Sequence, residues 1–202
     1  MSLETLPIPT GADEWSAPVG RFVAEAEARM AAFVSGPTPV ARGFVPSDFP
    51  TVYSMLAGIE RDGLAPGPRF LEWGSGFGVV AGLAAALGFE AYGIEIRDEL
   101  VDEAQALVEV CEYDVSFGRG TFVPESAGHL AEEFGEYAWW SEARESGYDE
   151  IGLDLEDFDF VYAYPWPGEE ELVEAVFDDG ASDGALLLTY HGVAGAQLRR
   201  KR

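Results

Sequence analysis

The stretch Phe70-Leu-Glu-Trp-Gly-Ser-Gly-Phe-Gly-Val-Val80 constrains this chain's fold more than any other. Arg69 to Trp73 reads as a buried strand, and a glycine-rich turn carries it into a helix over about 77–87. Glu72, Gly74, Gly76 and Gly78 spell E-x-G-x-G-x-G. Glycines so placed let the chain bend sharply out of a strand, let a ligand approach bare backbone, and let strand and helix pack closely. In the dinucleotide fingerprint G-x-G-x-x-G the third glycine would fall at Val79, which disfavours an NAD-dependent oxidoreductase.

A second mark follows at the right distance. Glu90-Ala-Tyr-Gly-Ile-Glu-Ile96 reads as a second strand ending in Glu95. A carboxylate at a strand tip accepts hydrogen bonds from both ribose hydroxyls of a nucleoside and repels a 2′-phosphate. With the two motifs together, the chain from about Val45 to His191 resembles the class I S-adenosylmethionine-dependent methyltransferases. The run Gly74 to Val80 also resembles lysine methyltransferases of the histone H3 globular-core type. The resemblance implies S-adenosylmethionine as cofactor, held by Glu72, Gly74, Ser75, Gly76, Gly78, Glu95 and Ile96. In the family an aspartate after a glycine often holds the adenine amino group. Here Gly120-Thr121 stands instead, so Thr121 or a backbone group must serve.

Composition narrows the partners. There are 37 acidic residues against 12 lysines and arginines, a formal charge of −25 at pH 7. Such a surface repels phosphate backbones, so nucleic acid is disfavoured as acceptor against a small molecule or a basic protein side chain. The acidity also reads simply as a device for solubility. No run approaches the length of a membrane span, and Met1-Ser-Leu-Glu-Thr5 lacks signal-peptide character. The single cysteine, Cys111, forms no internal disulfide, and the cytoplasm is the expected location.

The remaining chain divides as a flexible arm (1–12), N-terminal helices packing on the core (13–63), a Rossmann-like domain (64–192) and a short basic tail (193–202). Helical spacing runs over about 13–34 and 50–61. Phe44-Val-Pro-Ser-Asp-Phe49 reads as a helix cap with a hydrophobic staple, or as a lid of the kind several methyltransferases close over the cofactor. Asp98 to Glu112 reads as an amphipathic helix, and Val115 to Val123 as a third strand with its exit. Residues 125–157 form an acidic connection carrying Tyr137, Trp139, Trp140 and Tyr148; its glutamates read as a solvated helix face rather than a metal site.

The fourth strand, Phe158 to Ala163, ends in Tyr164-Pro-Trp-Pro-Gly168, and the fifth, Gly184 to Tyr190, ends in Tyr190-His191. Strand ends near a topological switch point are where ligands sit in doubly wound sheets. Tyr164, Trp166 and His191 are therefore the catalytic candidates on the acceptor side, with Tyr190 beside them. The aromatic rings suit a sulfonium or amine through cation–π attraction, and His191 suits a base. Tyr164-Pro-Trp-Pro lacks the amide or carboxylate that precedes the prolines in enzymes methylating nucleic-acid bases.

The expected architecture is an α/β doubly wound, mostly parallel sheet of order 3-2-1-4-5, lacking the usual C-terminal β-hairpin. An exposed fifth-strand edge would then invite a homodimer. The rival to a methyltransferase is a non-catalytic nucleotide-binding or scaffold protein with the same fold.

Overall fold

A computed structural model describes residues 3–11, 14–35, 44–130 and 145–202. Tyr137, Trp139, Trp140 and the glutamate run of the acidic connection, apart from Glu145, lie outside the described residues.

Seven strands form one sheet: β1 (Leu3–Leu6), β2 (Arg69–Trp73), β3 (Glu90–Glu95), β4 (Val115–Arg119), β5 (Phe160–Ala163), β6 (Leu186–Tyr190) and β7 (Ala196–Lys201). The order is β1-β7-β6-β5-β2-β3-β4. Strands β2 to β6 run parallel and reproduce the expected order 3-2-1-4-5. Two strands were not foreseen. β7 pairs antiparallel with β6, and β1 pairs antiparallel with β7. The basic tail is thus an interior strand: one strand, β7, follows the fifth parallel strand β6, and the N-terminal β1, not a second C-terminal strand, extends the sheet beyond it. Leu198 is fully buried in β7, opposite Leu188 and Leu6. Around it the charges are engaged: Arg199 pairs with Glu174 and bonds Thr5 Oγ1, while Arg202 pairs with Glu4. The fifth-strand edge is therefore covered, and the physical reason for a homodimer across it disappears.

The N-terminal arm is also tied down. Arg61 Nη1 donates to Thr10 O at 3.0 Å, and Gly11 N donates to Ser54 O at 2.6 Å. Bare backbone at Gly58 admits the arm: a Cβ there would lie 2.7 Å from Pro9.

One face of the sheet carries α1 (Ala17–Val34), α2 (Phe49–Arg61), α3 (Val79–Ala86) and α4 (Asp98–Cys111). The other carries α5 (Gly147–Ile151) and α6 (Glu170–Gly180). Alternation along the strands feeds both: Phe70, Phe160, Leu186 and Leu188 join the first core, Leu71, Val161 and Leu187 the second. Phe22 of α1 presses its ring onto α3 at Gly82. No helix among the described residues is long and apolar enough to cross a membrane.

Candidate active site

A cavity of about 1040 Å³ lies at the C-terminal ends of β2, β3, β4 and β5. The β2–α3 turn forms its floor. Gly78 adopts φ +67°, and a Cβ there would lie 2.4 Å from Phe117, so only glycine fits. A Cβ at Gly74 would meet nothing within 4 Å, so bare backbone borders open space that a ligand can approach.

Two buried carboxylates brace this turn. Gly78, the N-cap of α3, has no side chain to cap it. Glu72 supplies the missing acceptor from β2, taking the Ala81 N–H on Oε2 at 2.8 Å. Glu95, at the tip of β3, accepts from Gly76 N on Oε2 at 2.9 Å and from Arg97 N on Oε1 at 3.0 Å. Each side chain lines the cavity at only 5% and 7% exposure. Burial pushes both carboxyls above their ordinary range, Glu72 strongly; the Ala81 bond opposes the shift at Glu72, and the Glu95 charge adds to it. Between them, the buried Ser75 hydroxyl has no hydrogen-bond partner among the described residues.

At the β4 end, Gly120 N donates to Glu95 O at 3.0 Å, and Thr121 is pinned by Thr121 N to Glu145 O at 3.1 Å. Thr121 Oγ1 accepts from Val123 N at 3.1 Å. Ile96, Thr121 and Glu145 all line the cavity. Behind this wall Trp73 stacks on Phe122 at 4.8 Å, its Nε1 donates to Tyr148 Oη, and Tyr148 O–H donates to Phe122 O, both at 3.0 Å.

The opposite end is aromatic. Tyr164 and Trp166 line the cavity with Pro165 and Pro167 between and beside them. Trp166 is 47% exposed, yet its backbone is fixed, because Glu169 Oε2 accepts the Trp166 N–H at 3.0 Å. Tyr190 does not line the cavity; its ring backs Tyr164 edge to face at 5.2 Å. His191 lies outside the lining, with Nε2 2.9 Å from Thr189 Oγ1. The structure thus gathers Glu72, Gly74, Ser75, Gly76, Glu95, Ile96, Thr121, Tyr164 and Trp166 around one space. Gly78 is not in the lining, its bare Cα facing Phe117 and Ala104, and His191 stands apart.

The segment before α2 caps that helix and also borders the cavity. Asp48 caps the helix, accepting from Thr51 N at 2.9 Å, while Phe44, Val45, Pro46, Ser47 and Phe49 wall the cavity. Phe44 packs on Phe77 at 5.2 Å. Ser47 Oγ and Tyr162 Oη share a hydrogen bond of 2.8 Å. Sequence reasoning missed Tyr162. Its signal was strand alternation, which sets it beside Tyr164 in sequence and opposite Glu72 in register.

No family model matches the sequence, and no curated protein matches it either. Solved structures do match in fold. An RNA methyltransferase from Salinibacter ruber in complex with S-adenosyl-L-homocysteine aligns at a TM-score of 0.52 and 18% identity, covering 78% of this chain and 92% of that one. The Podospora anserina methyltransferase PaMTH1, bound to the same product, aligns at 0.51 and 13% identity over 87% of this chain and 62% of that one. An O-methyltransferase from Bacillus cereus aligns at 0.50 and 14% identity over 87% and 66%. By its central strand order and these likenesses, the chain has the class I methyltransferase fold.

Proposed function

We propose that this protein transfers a methyl group from S-adenosylmethionine to a small-molecule or basic protein acceptor, with nucleic acid disfavoured. The observation that carries this reading is the pair of buried carboxylates, Glu72 and Glu95, facing one cavity across a glycine turn whose backbone is bare. Relatives of the same fold crystallised with S-adenosyl-L-homocysteine support the choice of cofactor.

The residues present fit that cofactor. Each Glu95 oxygen uses one lone pair on a backbone amide and keeps acceptor capacity for a ribose hydroxyl. The Ser75 hydroxyl and the backbone at Gly74 offer polar contacts along the turn. Glu72 and Glu95 place negative charge where a net cationic ligand gains most from it. Thr121 and Ile96 wall the nucleoside end.

When bound, the cofactor supplies an electrophilic methyl carbon on a sulfonium. The chain's part is to hold the acceptor in line and keep water out. Tyr164 and Trp166 present ring faces to a cationic or amine-bearing acceptor, and each such contact contributes roughly 0.5–2 kcal/mol. Pro165 and Pro167 stiffen that loop, so less entropy is lost when an acceptor settles. His191, outside the cavity lining, is assigned no proton transfer.

Calorimetric titration with S-adenosylmethionine, S-adenosylhomocysteine and NAD tests the reading, with Glu95→Ala beside the wild type. Both sulfur ligands should bind, NAD should not, and Glu95→Ala should lose at least about tenfold in affinity, the worth of a charge-assisted hydrogen bond. Binding of NAD alone, or of none of the three, sinks the proposal. Binding without turnover across amine, phenol and basic-peptide acceptors would favour the non-catalytic rival.

A further inference from the structure

A second cavity opens across the start of α2 from the first. Phe49 lines the larger cavity, and the next residue, Pro50, lines the smaller one. Its volume is about 340 Å³, and its other walls are Glu14, Trp15 and Tyr53. The Trp15 and Tyr53 rings meet edge to face, 6.1 Å between centroids and 65° between planes. They make two sides of a corner rather than a closed stack. Packing holds them there: both rings are half-buried against the core, and a Cβ on Gly20 would lie 3.6 Å from Trp15 Nε1.

The chemistry of this corner is narrow. Two electron-rich rings, a pyrrolidine and one exposed carboxylate surround the space, and no lysine or arginine is among its lining residues. A compact ion such as sodium would surrender water here for few oxygen ligands. An alkylated ammonium carries its charge under a skin of methyl groups, so ring faces attract it at small desolvation cost. Anions meet Glu14 and a chain of net charge −25. We propose that this corner is a binding site for a small quaternary ammonium compound. It stands independently of the transfer reaction in the larger cavity.

The test titrates the full-length ¹⁵N-labelled protein with choline and, separately, with its neutral isostere 3,3-dimethylbutan-1-ol. Ionic strength is held constant with sodium chloride. The reporter is the Trp15 indole N–H resonance, assigned by its loss in Trp15→Phe. Choline should shift it saturably, and the isostere should bind at least about tenfold more weakly, the margin expected of a cation over two ring faces. Tyr53→Phe, which keeps the ring, should retain affinity within about twofold; Tyr53→Leu should lose about tenfold with the rest of the spectrum in place. Glu14→Gln should weaken choline and leave the isostere unchanged. Equal affinity for the two compounds, or a shift that never saturates, overturns the proposal.

Discussion

Glu72 sits between two demands. Its carboxylate caps α3 through Ala81 N, yet burial disfavours the charge it carries. A carboxyl whose folded pKa lies above its ordinary value costs no stability below that value, near 4.5, and costs increasingly as pH rises toward the folded pKa. Glutamine keeps an oxygen for Ala81 N–H without the charge. Glu72→Gln should therefore stabilise the ligand-free protein at pH 8, and the gain should vanish by pH 4. Urea unfolding across that range checks it, and a wild type that is the more stable at pH 8 contradicts the argument. Glu72 and Glu95 were legible in the sequence because each stands at a strand end beside glycine spacing that only backbone geometry explains. The Ser47–Tyr162 bond was not, since it joins residues 115 apart, and neither residue type announces a partner.

Elements were legible in proportion to their periodicity. β2 was read to the residue, because five apolar-rich positions end at a glycine turn. β1 and β7 were not. Four residues are too few to show alternation, and in β7 the charges of Arg199, Arg200 and Lys201 hide the single fully buried residue, Leu198. Those long side chains keep their charged ends on Glu174, Leu64 O and Asp178 O while their stems cover the sheet. β7 thus both covers β6 and carries β1, which makes Leu198 its anchor. Leu198→Ala should cost about 2–5 kcal/mol, as large-to-small changes do in closed cores. Val193→Ala, on the exposed turn just before β7, should stay within about 0.5 kcal/mol. If the two variants unfold at the same urea concentration, β7 is not the structural strand described here.

At the scale of the whole molecule, charge decides. The chain holds 37 acidic and 12 basic residues, so acidic groups outnumber basic ones by 25. Those basic groups that do pair are mostly at the surface: Arg119 reaches Asp98, Asp102 and Glu150, and Arg69 reaches Glu90 and Asp157. Salt acts on both populations in opposite directions. It weakens exposed pairs, each worth little, and it relieves the long-range repulsion of the excess. The excess is the larger population, and screening shortens from about 30 Å at 0.01 M to about 3 Å at 1 M, well inside the spacing of surface charges. Repulsion relief should win. The melting temperature at pH 7 should climb steadily between those salt concentrations, by about 2–4 °C for each kcal/mol gained in a chain of this size. Near pH 4 the gain should shrink, because protonation removes the repulsion that salt would otherwise screen. Calorimetry in sodium and potassium chloride separates screening, which ignores the cation, from specific ion binding, which does not. A melting temperature that falls with salt would mean the surface pairs hold the fold more firmly than their exposure implies.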